Sequence, residues 1–246
     1  MAGHNKWSKV KHIKAKTDAV KGKAFSKAAR EITVAVKQGG IDPDMNPVLR
    51  LALQKARDVN MPKDNIQRAI DKGAGTDGGD DLEDVTYEGY APGGVAILIR
   101  ALTDNKNRTV PNVRAALTKA GGSLASSGAV SYLFEKKGVI VFDDASDSDQ
   151  VMNLAIESGA DDVDVQDDGY IEVVTLPDQF EAVVTAFNDA SIGYINAAIE
   201  MVPQTRILLD LDQAKGFMKL IDKLEDDDDI QDVFHNADLP DEALES

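Results

Sequence analysis

Apolar side chains recur every three or four positions through the first seventy residues, the spacing that places them on one face of a helix. Three helices are predicted: one over residues 22–37, a second beginning at Asn46-Pro47, and a third opening at Pro62 and ending at Gly73. Asn is a favoured N-cap and Pro is favoured at the first helical position, which defines the second start. The inward faces carry Phe25, Ala28, Ile32, Val36, Leu49, Ala52, Leu53, Ala56, Ile66, Ala69 and Ile70. We expect these helices to form a small bundle.

The pattern changes after residues 73–84, a stretch rich in Gly and Asp that is typical of a linker. Beyond it, apolar runs and turn residues predict mixed strands and helices. The first elements are strands at 86–90 and 95–102, a helix at 110–120 capped by Thr109, and a strand at 129–134. A helix at 212–224 and a strand at 230–235 have no partner of their own. We expect this last pair to return and complete the first sheet.

Between these parts lies a compact alternation. Its elements are a strand at 138–142, a helix at 148–158, strands at 162–166 and 170–175, a helix at 177–189 and a strand at 197–203. This order is the β-α-β-β-α-β ferredoxin-like unit. The sequence therefore predicts an α+β fold with an N-terminal three-helix domain followed by two α/β domains. The predicted domains are 1–75, a discontinuous domain of 80–137 plus 204–246, and the ferredoxin-like unit at 138–203, inserted into the second.

Charge divides the chain into a basic head and an acidic body. The formal net charge is −16, yet residues 1–40 hold ten Lys or Arg against two Asp or Glu. Residues 1–72 hold sixteen against seven, and the remainder eleven against thirty-six. A basic segment on an acidic protein is typical of contact with a polyanion. Trp7 lies among closely spaced lysines, where it can add stacking on a base. The alternative is a solvated basic tail with Trp7 packed into the fold.

Composition excludes several function classes. The chain has no Cys, and its three His residues are too scattered to predict a metal site. It has no Gly-rich phosphate loop, nucleophile elbow or HExxH motif, so we expect no enzyme activity, no cofactor and no metal. No run approaches the ~20 apolar residues of a membrane span, and the N-terminus lacks the apolar core of a signal peptide. We expect a cytoplasmic protein without a membrane partner.

A second basic cluster lies in the body, at the start of a predicted helix. Lys106, Arg108 and Arg114 fall where free backbone N–H groups and the helix dipole favour an anion, which predicts phosphate contact. The alternative is that Arg108 and Arg114 pair with neighbouring acids such as Asp104 or, across a sheet, Glu88.

The acidic run 225–229 offers a divalent-metal interpretation. Consecutive carboxylates are poor chelators because neighbouring side chains point in different directions and repel one another. We therefore interpret the run as a solvated turn between the last helix and the last strand.

Several long segments, in order, resemble one family. They are Met1-Ala-Gly-His-Asn-Lys-Trp7 and the stretches 22–33, 60–66, 87–95, 102–109 and 225–236. Together they resemble the YebC/PmpR family over essentially the whole chain. The resemblance implies a helical N-terminal domain and two α/β domains. It also implies a DNA-binding transcriptional regulator, while a mitochondrial relative, the translational activator of cytochrome c oxidase, implies a role at the ribosome.

Site residues follow from the same resemblance. The N-terminal motif falls on Gly3, His4, Lys6 and Trp7, and the basic motif of the body on Lys106, Arg108 and Arg114. Two departures are visible: Lys106 stands where Arg is common, and 123–128 replaces a Gly-richer loop. Lys keeps the charge but loses the bidentate fork of Arg.

Three hypotheses follow. The first is a DNA-binding regulator of transcription, although no helix combines Arg, Asn and Gln on one exposed face for base reading. The second is a ribosome-associated translation factor that contacts rRNA or tRNA and relieves stalling at proline-rich stretches. The third, a small-molecule sensor or enzyme on the ferredoxin-like unit, has no convergent catalytic groups to support it. The oligomeric state stays open. The predicted nucleic-acid-binding residues are Lys6, Trp7, Lys9, Lys11, Lys14, Lys16, Lys21, Lys23, Lys27, Arg30, Lys106, Arg108 and Arg114.

Overall fold

A computed structural model describes residues 18–75, 82–166 and 169–243. The helices of these ranges are α1 (Asp18–Gly39), α2 (Pro47–Asp58), α3 (Lys63–Gly73), α4 (Lys106–Lys119), α5 (Ser148–Ser158), α6 (Phe180–Asp189) and α7 (Leu211–Glu225). The strands are β1 (Glu83–Ala91), β2 (Val95–Thr103), β3 (Ser123–Leu124), β4 (Phe134–Phe142), β5 (Asp162–Val165), β6 (Ile171–Thr175), β7 (Asn196–Pro203), β8 (Ile207–Leu208), β9 (Ile230–His235) and β10 (Ala237–Asp238). This architecture confirms the predicted α+β class.

The first three helices form the predicted bundle, in which α2 and α3 both pack on α1. Ile32 and Leu49 are fully buried at its centre. Asn46 connects the end of α1 to the start of α2. Its Oδ1 accepts from the Leu49 N–H at 3.1 Å, and its Nδ2 donates to the Ala35 and Gly40 carbonyls at 2.8 and 2.9 Å. The capping function predicted for Asn46 is confirmed.

The first sheet has the strand order β3-β1-β2-β9. β1 and β2 form an antiparallel hairpin, and β9 pairs antiparallel with β2. The two strands are distant in sequence, because 126 positions separate Thr103 at the end of β2 from Asp229 just before β9. α4 and α7 pack against each other, and α7 contacts β9, where the Phe217 ring meets the edge of His235 at 4.8 Å. The return of the last helix and strand to this sheet is therefore confirmed.

The segment between the two halves of that sheet forms the ferredoxin-like unit. Its sheet has the order β5-β6-β4-β7, with every neighbouring pair antiparallel. The Phe142 and Phe187 rings pack 4.8 Å apart between the sheet and α6. Leu133–Arg206 form one compact unit, and the other described residues form a second one that includes the helical bundle. The domain boundaries given above stay a prediction.

Two element predictions in the body are wrong. The helix placed at 110–120 begins at Lys106, because Asn105 rather than Thr109 is its N-cap and accepts from the Arg108 N–H at 3.2 Å. In place of the strand predicted at 129–134, the chain forms a bend and a 3-10 helix over Ser131–Leu133, and the next strand begins only at Phe134. The Glu88 carboxylate accepts the backbone N–H groups of Val130, Gly128 and Ser131, so these groups are not available to a strand. The chain instead joins the first sheet earlier, at β3.

Candidate nucleic-acid interface

The predicted interface residues fall into three groups in the structure. Lys6, Trp7, Lys9, Lys11, Lys14 and Lys16 lie outside the described residues, as does the side chain of Lys21. Lys23, Lys27 and Arg30 lie on α1, and Lys106, Arg108 and Arg114 lie on α4. The earlier start of α4 brings Lys106 and Arg108 into its first turn.

Asp229 connects the two basic groups. Its side chain is 3% exposed, and its Oδ1 accepts from Arg30 Nη1 at 2.8 Å. Arg108 Nη2 donates to both carboxylate oxygens, at 2.9 and 2.8 Å, and Thr109 Oγ1 donates to Oδ2 at 2.8 Å. Arg30 Nη1 also donates to the Leu102 carbonyl at 2.7 Å. One buried carboxylate thus joins α1, α4 and the end of β2.

The Asp229 carboxylate remains ionised in this environment. Burial alone would raise the pKa of Asp229, because a low-dielectric surrounding disfavours charge. Hydrogen bonds from Arg108, Arg30 and Thr109 outweigh burial and hold the pKa of Asp229 below its usual range. Hydrogen bonds from Arg108 to Asp229 and to Asp104 in turn raise the pKa of Arg108.

The sequence did not single out Asp229, and the interpretation of 225–229 as a solvated turn is wrong at that position. Asp226 and Asp228 are exposed, whereas Asp229 is 2% exposed. The only available signal was that the last acid of the run directly precedes β9. Its partners lie more than a hundred residues away, so spacing could not reveal them.

Two other cations of these groups also have acidic neighbours. Lys23 pairs with Asp226, and Lys106 pairs with Glu83. Arg108 pairs with Asp104 at 2.7 Å, as the alternative interpretation proposed, whereas Glu88 binds backbone N–H groups instead. Paired cations are partly neutralised, so the first turn of α4 is less suited to phosphate than the sequence suggested.

A second ion-pair network joins the bundle to the first sheet. Lys55 Nζ lies 2.7 Å from Glu31 Oε1, and Arg100 Nη1 lies 3.1 Å from Asp232 Oδ2 and 3.5 Å from Glu31 Oε1. Arg100 also pairs with Asp84 on β1 at 2.8 Å. Burial by itself would lower the pKa of Lys55, but Asp232 and Glu31 raise it above its usual value. This network fixes α1 and α2 against β2 and β9.

Several exposed cations lie outside these networks. Lys63 on α3 and Arg114 on α4 make no side-chain hydrogen bond or ion pair with any described residue. Among the described residues, Arg57 bonds only to Gln54 of its own helix, and Arg68 only to Asn65 and the Asp64 carbonyl of its own helix. These side chains are accessible to an external anion.

The described residues contain neither a metal-binding cluster nor a membrane-spanning helix. Residues 18–75, 82–166 and 169–243 contain no group of three or more His, Asp or Glu side chains arranged to hold a metal ion. Within the same ranges, each helix is too short or too polar to cross a bilayer.

Known protein families match both the N-terminal helical part of the chain and the part that follows it. Residues 5–76 match the TACO1/YebC N-terminal domain, and residues 82–237 match the TACO1/YebC second and third domain. A probable transcriptional regulatory protein of Idiomarina loihiensis is 50% identical over 244 residues, covering 99% of this chain and 98% of the relative. One from Shewanella oneidensis is 49% identical over 246 residues, covering 100% and 99%.

A solved structure shows the same fold. The crystal structure of a conserved hypothetical protein from Aquifex aeolicus superposes with a TM-score of 0.84 at 43% identity. The match covers 92% of this chain and 94% of the other. The relatives compared above bear the name probable transcriptional regulatory protein. Because the two domain matches follow one another along the sequence, the chain belongs to the TACO1/YebC family.

Proposed function

We propose that this protein is a non-enzymatic regulator of gene expression in the cytoplasm that binds duplex DNA through its basic N-terminal domain. The main support for this proposal is the charge distribution. Residues 1–72 hold sixteen basic residues against seven acidic ones, on a chain of net charge −16. The names of the relatives support transcription as the process. Phosphate contact by Lys and Arg supplies affinity without sequence preference.

The ion pairs divide the basic residues by availability. Arg30 and Arg108 share Asp229, so each would have to leave a buried carboxylate to bind phosphate. We therefore assign phosphate contact to the arm lysines at positions 6–16 and to exposed cations such as Arg57 and Arg68. Arg30 and Arg108 act as supports that hold α1 against α4.

The test is the salt dependence of binding to a duplex. The double variant Lys9→Ala/Lys11→Ala is compared with Lys215→Ala/Lys219→Ala, which removes the same charge from the exposed face of α7. Each phosphate contact contributes about −0.9 to the slope of log K against log salt concentration. We expect the slope of the Lys9→Ala/Lys11→Ala variant to be less steep by the contribution of about two phosphate contacts. The α7 variant should keep the wild-type slope. Equal slopes for all three proteins would contradict binding through the arm.

A ribosome-associated translation factor is the second proposal, and the charge of the body favours it. Residues 73–246 hold eleven basic and thirty-six acidic residues, which repel a long duplex away from the head. A basic N-terminal segment is suited to an rRNA-lined channel, where it could contact rRNA or tRNA and relieve stalling at proline-rich stretches. Sedimentation of a cell lysate with RNase or DNase separates the two proposals. Migration with ribosomal particles that RNase abolishes and DNase does not would favour the second, provided that deleting residues 1–23 also abolishes it.

A further inference from the structure

An open groove of about 360 Å³ runs between α1 and α3 and ends at Leu82, just before β1. Its floor is apolar and is formed by Phe25 and Ala29 of α1, Met61 of the α2–α3 turn and Ala69 of α3. Met61 and Ala69 are buried in the bundle core, while Phe25 is half-buried. The groove therefore presents part of an aromatic ring beside buried core side chains.

The charge of this groove is opposite to that of the chain. Arg30, Arg68 and Lys72 are among its lining residues, and none of the described residues that line it is acidic. Arg30 is held by Asp229, whereas Arg68 bonds to no described acidic side chain and is the cation that this groove offers to a ligand. Charge complementarity therefore favours an anionic occupant.

Two polar groups on the groove have unused hydrogen-bonding capacity. Asn65 Oδ1 accepts from Arg68, but Asn65 Nδ2 has no partner among the described residues, and neither has the Ser26 hydroxyl. Thr33, also on the groove, is already satisfied, because its hydroxyl donates within the bundle to Ala29 and Ala69 carbonyls. An amide and a hydroxyl beside an apolar floor are suited to the edge of a planar polar ring.

We propose that this groove binds one unpaired nucleotide of a single-stranded nucleic acid. The base lies on Phe25, Asn65 and Ser26 hydrogen-bond to its edge, and Arg68 contacts the adjoining phosphate. A base paired in a duplex could not reach the floor, because its faces are stacked on its neighbours. This inference rests on the proposed nucleic-acid binding and specifies a contact beyond the arm.

The experiment measures binding of the full chain to fluorescently labelled ten-nucleotide DNA and RNA single strands of the same mixed sequence, and to the matching DNA duplex. Arg68→Ala and Phe25→Leu test the rim and the aromatic floor; Leu keeps most of the packing volume. Lys63→Ala is the matched control, because it removes one exposed charge from the same helix outside the groove. Thermal unfolding of each variant verifies that the bundle is intact.

We expect Arg68→Ala and Phe25→Leu each to weaken single-strand binding about tenfold, since loss of one stacked base or one phosphate contact has that size. Lys63→Ala should change it by less than about threefold, and duplex binding should not respond to Phe25→Leu. Quenching of a 2-aminopurine base in the strand should require Phe25. Comparable losses for Arg68→Ala and Lys63→Ala, or undiminished binding and quenching in Phe25→Leu, would overturn the proposal.

The two strand types distinguish the source of the ligand, because a groove that uses the 2′-hydroxyl favours RNA over DNA. The same measurements separate this inference from the proposed function. Arm-dependent duplex binding with no effect of the groove variants would overturn the groove alone. Absence of binding to any of the three nucleic acids would overturn both.

Discussion

Asp229 illustrates how one residue can determine the arrangement of distant elements. Its carboxylate accepts hydrogen bonds from two guanidinium groups and two threonine hydroxyls, so its charge is compensated inside the protein. Removing one partner of a buried pair leaves the others without compensation, which costs more than the pair itself contributes. Asp229 therefore holds Arg30 and Arg108 in place, and their contact with nucleic acid stays a prediction.

The first prediction concerns stability. Asp229→Asn should lower the free energy of unfolding by about 2–3 kcal/mol, because Asn cannot match the charge of Arg30 and Arg108. Asp228→Asn, an exposed neighbour in the same acidic run, should change it by less than about 0.5 kcal/mol. Urea denaturation measures both. Similar destabilisation by the two variants would show that the run acts through its overall charge and not through this contact.

The second prediction concerns acid. The pKa of Asp229 is lower in the folded state than its value of about 3.9 in an unfolded chain, so the unfolded state takes up the proton first as pH falls. The stabilisation is therefore complete above about pH 4 and is lost as pH falls through the folded-state pKa. The unfolding free energy should decline less steeply below pH 4 in Asp229→Asn than in the wild type. Parallel curves would contradict an ionised, hydrogen-bonded Asp229.

At the scale of elements, turns held by side chains were harder to predict than periodic helices. The helix at 148–158 and the strand at 230–235 have the bounds that the sequence pattern predicts. The segment before β4 does not, because Glu88 on β1 takes its backbone N–H groups from forty residues away. Secondary-structure propensity depends on a residue and its neighbours along the chain, so it could not predict a contact with a residue forty positions away.

Glu88 supports the third prediction. It is 6% exposed; burial tends to raise its pKa, but backbone hydrogen bonds from Val130, Gly128 and Ser131 lower it overall. Glu88→Gln replaces an acceptor with a donor opposite N–H groups, so unfolding should become about 1–3 kcal/mol easier. Amide hydrogen exchange at these three positions should accelerate by at least tenfold, while Glu83→Gln, exposed on the same strand, leaves it unchanged. Unaltered exchange in Glu88→Gln would show that the loop is held by other contacts.

At the scale of the whole molecule, charge distribution was readable from the sequence but its pairing was not. The basic head and acidic body follow from counting residues, and the family segments follow from their order. Which cations remain available depends on folding: Arg30 meets Asp229 across 199 positions, whereas Lys63 meets no described acid. The groove between α1 and α3 likewise combines Phe25 and Arg68, which no local motif connects.

Salt should therefore act differently on binding and on folding, which is the fourth prediction. Between 50 and 200 mM salt, duplex affinity should fall by about 10³-fold if six phosphates are contacted, because bound cations return to the DNA. The ion pairs that join the bundle to the first sheet are partly buried and thus weakly screened, as at Arg100 with Asp232. Screening of repulsion in a body with a large acidic excess opposes their small loss, so the unfolding free energy should change by less than about 1 kcal/mol. Affinity by fluorescence anisotropy and stability by urea denaturation, measured in the same buffers, test this separation. A loss of stability that parallels the loss of affinity would mean that salt releases the bundle from the sheet, and that binding depends on that interface and not on exposed cations.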